Sequence, residues 1–292
     1  MRADPVDPAS TRRRIAVVTD STASLDHADA EREGITVVPL KVVIGADTFT
    51  EGIDVTPDDI AAALREFTPV STSRPTPEEF LEVYRRLADD GVDAIVSVHL
   101  SKAMSGTFES AQLAAAKASV PVMCVDSTQV GIATGFAAGR AARVCAAGGS
   151  EAEAVAAALG AGEATTVMIY VDSLEYLRRG GRVGSAAALI GSALAVKPLL
   201  TLESGTVVPL ERVRTTNKAL SRLVALAAEA AELAPDGVDI GVQHLANAEV
   251  ALDVARRVAE RTGLEQVPVN EVGAVIGAHV GPGTVSVTVT PR

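Results

Sequence analysis

Residues 94–118 constrain the fold of this chain more than any other stretch. An apolar strand over 94–100 (Ala94, Ile95, Val96, Ser97, Val98, His99, Leu100) runs into a turn rich in hydroxyls and glycine (Ser101 to Thr107). An alanine-rich helix begins near Phe108. A helix entered this way leaves several backbone N–H groups at its first turn without intrahelical partners. Those donors, the helix dipole and the hydroxyls of Ser105 and Thr107 together favour a bound anion. No acid, base or metal cluster stands beside them in the sequence. The pattern suits holding a negatively charged head group rather than reacting with it.

The same strand-to-helix alternation fills the first half. Strands are expected at 15–19, in one or two pieces of 35–44, and at 120–125; helices at 57–67 and 131–147. Thr76, Pro77 and Glu79 open a further helix with an N-cap, a proline at its first position and a capping box. Phe80, Val83, Tyr84 and Leu87 then form one apolar stripe. Ser150 and Glu153 repeat the capping box before a helix over 154–159. This rhythm predicts a mostly parallel sheet flanked by helices.

Residues 160–163, rich in glycine, read as a linker, and beyond them the pattern changes. A strand at 166–171 precedes a glycine turn. Residues 186–194 read as helix, and Ser204 and Gly205 join strands 199–203 and 206–214 into a hairpin. A helix over 216–234, a strand at 238–244, a helix over 248–261 and strands at 266–271 and 285–289 complete the chain. The expected architecture is α/β in two domains, 15–162 and a smaller 163–292 with a mixed sheet, with a ligand between them. Residues 1–14 read as a disordered arm.

Composition excludes several function classes. With 26 basic and 37 acidic residues among 292, the net charge is −11. That disfavours nucleic acid and anionic membrane surfaces, which need cationic protein. Tryptophan is absent and aromatics make up 3% of the chain, so stacking on bases is not a binding mode here. No apolar run approaches the ~20 residues of a membrane span, and no secretory signal is legible. Cys124 and Cys145 lie among apolar neighbours and read as buried free thiols of a cytoplasmic protein.

Several residues could carry chemistry. Thr72, Ser73, Arg74, Pro75 and Thr76 form a hydroxyl cluster that could join Ser105 on one anion, or could simply cap a helix. Asp20, Ser21 and Thr22 sit at the carboxyl end of the first strand, where ligands of open parallel sheets bind, or simply cap the next segment. Gly180, Gly181 and Arg182 could bring a guanidinium to a ligand or end a helix. His279 lies between glycines, while His99 sits inside a strand and is expected to be packed or hydrogen-bonded. The histidines, with His27 and His244, lack metal-ligand spacing, and no nucleophile elbow or phosphate loop is present.

Taken together, these stretches resemble the DegV family of bacterial fatty-acid-binding proteins. Residues 15–22 look like the family's opening strand and turn, 72–77 like its TSQPSP-type loop, and 101–108 like its SSKLSGTY segment. Residues 174–183 match its LEYLKKGGRI stretch, and Lys197 to Leu200 and the 277–283 loop follow in order. Arg74 stands where glutamine is usual, Thr76 replaces serine, and Ala278 and Val280 lack hydroxyls often found beside the family's histidine.

The resemblance implies a long-chain fatty acid, such as palmitate or oleate, held between two α/β domains. Its carboxylate would meet Thr72 and Ser105, with Ser73, Gly106, Thr107, Arg182 and His279 close by, and its chain would fill an apolar tunnel. It implies no cofactor, no metal and no catalytic residue of its own. A separate fatty acid kinase would phosphorylate the presented carboxylate, with Arg214 as a surface contact. The competing reading is a small-molecule phosphotransferase subunit akin to dihydroxyacetone kinases, with His279 as its reactive group.

Overall fold

Alternation of apolar residues along the first strands decides the N-terminal architecture. The computed structural model describes residues 13–190 and 197–292. Strands β1 (Ile15–Asp20), β2 (Ile35–Val38), β6 (Ala94–His99) and β7 (Val122–Asp126) form a wholly parallel sheet in the order β2-β1-β6-β7. Helix α1 (His27–Glu33) links the first two. Val17, Val96 and Val98 point to one face and Val18 and Ile95 to the other, as a two-residue period requires. The second face is covered by α3 (Pro77–Asp89) and α4 (Thr107–Ala115), through Phe80, Tyr84, Ala111 and Ala114. The capping boxes at Thr76–Glu79 and Ser150–Glu153 are both formed.

The first face packs on α5 (Ile132–Ala147) and α6 (Glu151–Ala164) through a run of buried alanines from Ala137 to Ala161. Both helices also touch the second sheet. Against the parallel sheet this layer presents small side chains, which gives the alanine enrichment a packing role, while Ile132 and Phe136 lie against Gly241 of the second sheet. The stretch read as a linker is the last part of α6. Gly162 lies so close to Ser127 that a β-carbon would sit 2.3 Å from the Ser127 carbonyl oxygen, so its glycine serves contact rather than flexibility.

The second sheet is mixed. Its strands are β8 (Thr166–Tyr170), β9 (Lys197–Glu203), β10 (Thr206–Val213), β11 (Val238–His244), β12 (Val269–Glu271) and β13 (Val285–Pro291), in the order β10-β9-β8-β13-β11-β12. Only β11 and β12 pair in parallel. Helices α8 (Thr216–Glu232) and α9 (Ala248–Thr262) cover its outer face. The β9–β10 hairpin turns on Ser204 and Gly205, both at positive φ (48° and 77°), the left-handed pair that a two-residue turn demands.

A third sheet, not expected as a separate unit, comprises β3 (Lys41–Ile44), β4 (Asp47–Thr50) and β5 (Val70–Ser73), with β3 in the middle. It packs on α2 (Pro57–Arg65) and α10 (Ala274–Val280). The 35–44 stretch therefore splits, its first half joining the parallel sheet and its second half this one. Residues 184–189 form a 3-10 turn where the pattern predicts a helix over 186–194, and 191–194 lie outside the described residues. The expected disordered arm also lies outside them, apart from Arg13, paired with Glu151, and Arg14, whose N–H donates to Asp93 at 2.7 Å. Cys124 and Cys145 are free but half-buried rather than buried, and burial pushes the Cys124 thiol up to about 11.

Candidate functional site

A cavity of about 360 Å³ opens where the three sheets approach one another. Thr72 and Ser73 enter it from the end of β5, so the hydroxyl cluster is strand before it is loop. Ser105 and Gly106 come from the turn before α4, Arg182 from the turn after α7 (Glu175–Arg179), and His279 from the last turn of α10. His279 is thus helical, where the sequence suggested a glycine-flanked loop. Leu40, Leu100, Ile169, Leu177, Val207 and Val275 supply apolar wall from many elements.

Backbone carbonyls, helix ends and close contacts hold the polar end in place. The Thr72 hydroxyl and His279 Nε2 are 2.9 Å apart. Among the described residues His279 Nδ1 is buried without a partner, against Gly180, where a β-carbon would come within 2.1 Å of it. An unmet acceptor is tolerated better than an unmet N–H. The proton therefore belongs on Nε2, which donates to Thr72 and leaves the Thr72 O–H free to donate into the cavity. Burial first, and the Arg182 charge second, push the His279 imidazole down to about 4, so it is neutral near pH 7. Arg182 donates from Nε to the Met104 carbonyl at 3.0 Å and from Nη1 to the Gly180 carbonyl at 2.5 Å.

Ser105 Oγ accepts the Thr107 N–H at 3.3 Å and lies 2.9 Å from the Thr107 hydroxyl. Thr107 is fully buried and does not line the cavity. Expected as a ligand contact, it instead stands behind Ser105 and fixes its rotamer. Gly106, the N-cap of α4, offers no side-chain cap, so apart from the Thr107 N–H taken by Ser105 the first turn has no side-chain acceptor. Hairpin β9–β10 clamps this turn from the second sheet: Ser101 Oγ donates to the Gly205 carbonyl at 2.8 Å.

Beneath the cavity floor lies a buried polar chain that the sequence did not expose. Asp20 accepts from the Leu100 N–H at 3.1 Å and from the Thr22 N–H and hydroxyl, and pairs with His99 Nδ1 at 3.0 Å. His99 Nε2 meets Ser97 Oγ at 2.7 Å, which meets the Tyr84 hydroxyl at 2.8 Å. The order Asp20, His99, Ser97 has the layout of a hydrolytic triad. All three have 0% exposure, so no substrate reaches them. Their role is to fix Thr22 and Leu100, both of which line the cavity.

A larger cleft, about 680 Å³, lies on the far side of Glu51 and Gly273, away from Thr72 and Ser105. Its acidic lining is Asp26, Glu31, Glu51 and Glu271, without lysine or arginine. It repels an anion. The smaller cavity carries the cations Arg74 and Arg182 beside the neutral His279. Arg214 is exposed in the bend between β10 and α8, outside the cavity lining. Among the described residues, no helix is long and apolar enough to cross a membrane.

Fold and cavity together define a protein with a mainly apolar hollow closed at one end by hydroxyls and cations. The model of the DegV family matches residues 14–292, so the chain belongs to that family. It is 52% identical over 281 residues to a DegV domain-containing protein of Streptomyces coelicolor, covering 96% of this chain and 99% of that one. Among solved structures, a fatty-acid-binding DegV family protein from Thermus thermophilus superposes with a TM-score of 0.89 at 33% identity, covering 96% of this chain and all (100%) of that one. DegV from Bacillus subtilis, a fatty acid binding protein, superposes with a TM-score of 0.88 at 32% identity, with 96% and 100% covered.

Proposed function

We propose that this chain binds a long-chain fatty acid and presents its carboxylate to a fatty acid kinase in the cytoplasm, doing no chemistry itself. The observation that carries this reading is the cavity's division into a polar end, with Thr72, Ser105, Arg182 and His279 from separate elements, and an apolar remainder. Each buried methylene contributes about 0.8 kcal/mol, so an acyl chain supplies the affinity. A carboxylate is costly to bury without donors. The Thr72 and Ser105 hydroxyls and the remaining amides of the first α4 turn supply them, with the charge of Arg182 alongside. The fatty-acid-binding relatives from T. thermophilus and B. subtilis support the ligand class.

The phosphotransferase alternative needs a free imidazole nitrogen on His279. Nε2 is engaged with Thr72, and Nδ1 is walled by Gly180. In the carrier reading a partner kinase supplies the phosphoryl chemistry, and the exposed Arg214 is a candidate contact for it. The test is organic extraction of purified protein with identification of the lipid, alongside native mass spectrometry. One fatty acid per chain is expected. A chain that is empty at every mass, and that takes up neither palmitate nor oleate, overturns the proposal.

A further inference from the structure

One charged side chain at the cavity has no structural duty. The Arg74 guanidinium lies on the backbone of Gly106: Nη1 is 1.5 Å, Cζ 2.6 Å and Cδ 3.0 Å from where a β-carbon at 106 would stand. A β-carbon at 106 would push this exposed side chain aside. Arg74 also lines the cavity beside Ser105 and Gly106. Among the described residues it makes no hydrogen bond and no ion pair. Arg182, by contrast, spends donors on the Met104 and Gly180 carbonyls.

We propose that Arg74 is the specificity-determining residue of the head-group site, the group that distinguishes an ionised carboxylate from an uncharged head group on the same chain. The inference rests on the fatty-acid reading above. Hydroxyls such as those of Thr72 and Ser105 donate equally well to a carboxylate oxygen or an ester carbonyl, so they do not sense charge. His279 is neutral and adds none. A guanidinium with its fork of donors free pairs bidentately with a carboxylate and gains nothing comparable from an ester. In a chain of net charge −11, whose neighbouring cleft is lined by carboxylates, a local cation is what makes the entrance attractive to an anion. The glutamine usual in the related loop offers hydrogen bonds without this charge.

The experiment compares palmitate with methyl palmitate on delipidated full-length protein, for wild type, Arg74→Gln and Gly106→Ala. Arg74→Gln is expected to weaken palmitate roughly 10- to 150-fold, the range of one charge-assisted contact, while methyl palmitate binding stays unchanged. Salt should weaken palmitate binding to wild type more steeply than to Arg74→Gln. Gly106→Ala, which expels the guanidinium without removing it from the chain, should also lower the acid-to-ester ratio. An unchanged ratio in Arg74→Gln, with wild type still binding palmitate, overturns this inference and leaves the fatty-acid reading standing. Wild type that binds neither lipid overturns both.

Discussion

Replacing His279 with glutamine tests whether the polar end is as dry as its geometry implies. Glutamine keeps a side-chain N–H for Thr72 but does not titrate. In the unfolded chain the imidazole takes a proton near 6.5; in the folded protein burial and Arg182 hold that off until about 4. Between those values the unfolded state binds the extra proton, so the histidine's contribution is intact above about pH 6.5 and is lost as pH falls toward 4. At 1.36 kcal/mol per pH unit, the gap amounts to ~3 kcal/mol. Urea unfolding of wild type and His279→Gln, from about pH 7 down to about pH 4, reads it directly. The carboxylates titrate in both proteins and cancel in the difference. Wild type should lose ~3 kcal/mol more than the variant across the window, mostly below about pH 6. Bound palmitate should shrink that loss, because an anion beside the imidazole favours its charged form. Parallel stability curves for the two proteins would refute the argument that desolvation keeps this histidine neutral.

Three further outcomes follow from the same geometry. Ser105→Ala with Thr72→Val removes two donors worth about 1.5–3 kcal/mol each to a charged acceptor, so palmitate affinity by calorimetry should fall at least roughly a hundredfold. Unchanged affinity would mean that the head group lies elsewhere. Asp20→Ala strands His99, Thr22 and the Leu100 N–H where water does not reach, and should cost about 3–5 kcal/mol, seen as a large drop in melting temperature. Gly205→Ala puts a β-carbon at φ 77° and 2.2 Å from Ser101 Oγ; it should cost about 1–3 kcal/mol by denaturant unfolding, and a neutral effect would show that the hairpin does not clamp the Ser101 turn.

Signals that are local in the chain are legible from the residues alone. The capping boxes at Thr76 and Ser150, the Ser204-Gly205 hairpin and the strand–turn–helix around Ser105 each depend on neighbours a few residues apart, and each forms as expected. Features that escape such reading depend on distant partners. Strand β4, Asp47–Thr50, has no apolar period to announce it and exists because β3 offers it an edge. Helix α10 contains glycine, yet forms because Glu51 accepts the Val275 N–H at 2.7 Å from 224 positions away. Thr107 is only two residues from Ser105, but the helix turn rotates it inward. Thr72, Ser105, Arg182 and His279 can be named from the sequence; that Arg74 lies across Gly106 cannot, because no local rule sets where a long side chain rests.

Because walls of the hollow come from two of the sheets and from the loops that follow strands of the third, an occupant would also be a structural member of the protein. Emptied, the oily part has nothing to hydrogen-bond water and stays dry, so the chain loses contact energy it cannot recover from solvent. Any lipid that fits stabilises the assembled state in proportion to its concentration. If the carrier reading proposed above holds, such a molecule would surrender its lipid reluctantly, and handover would be favourable only with a recipient already in place to take it.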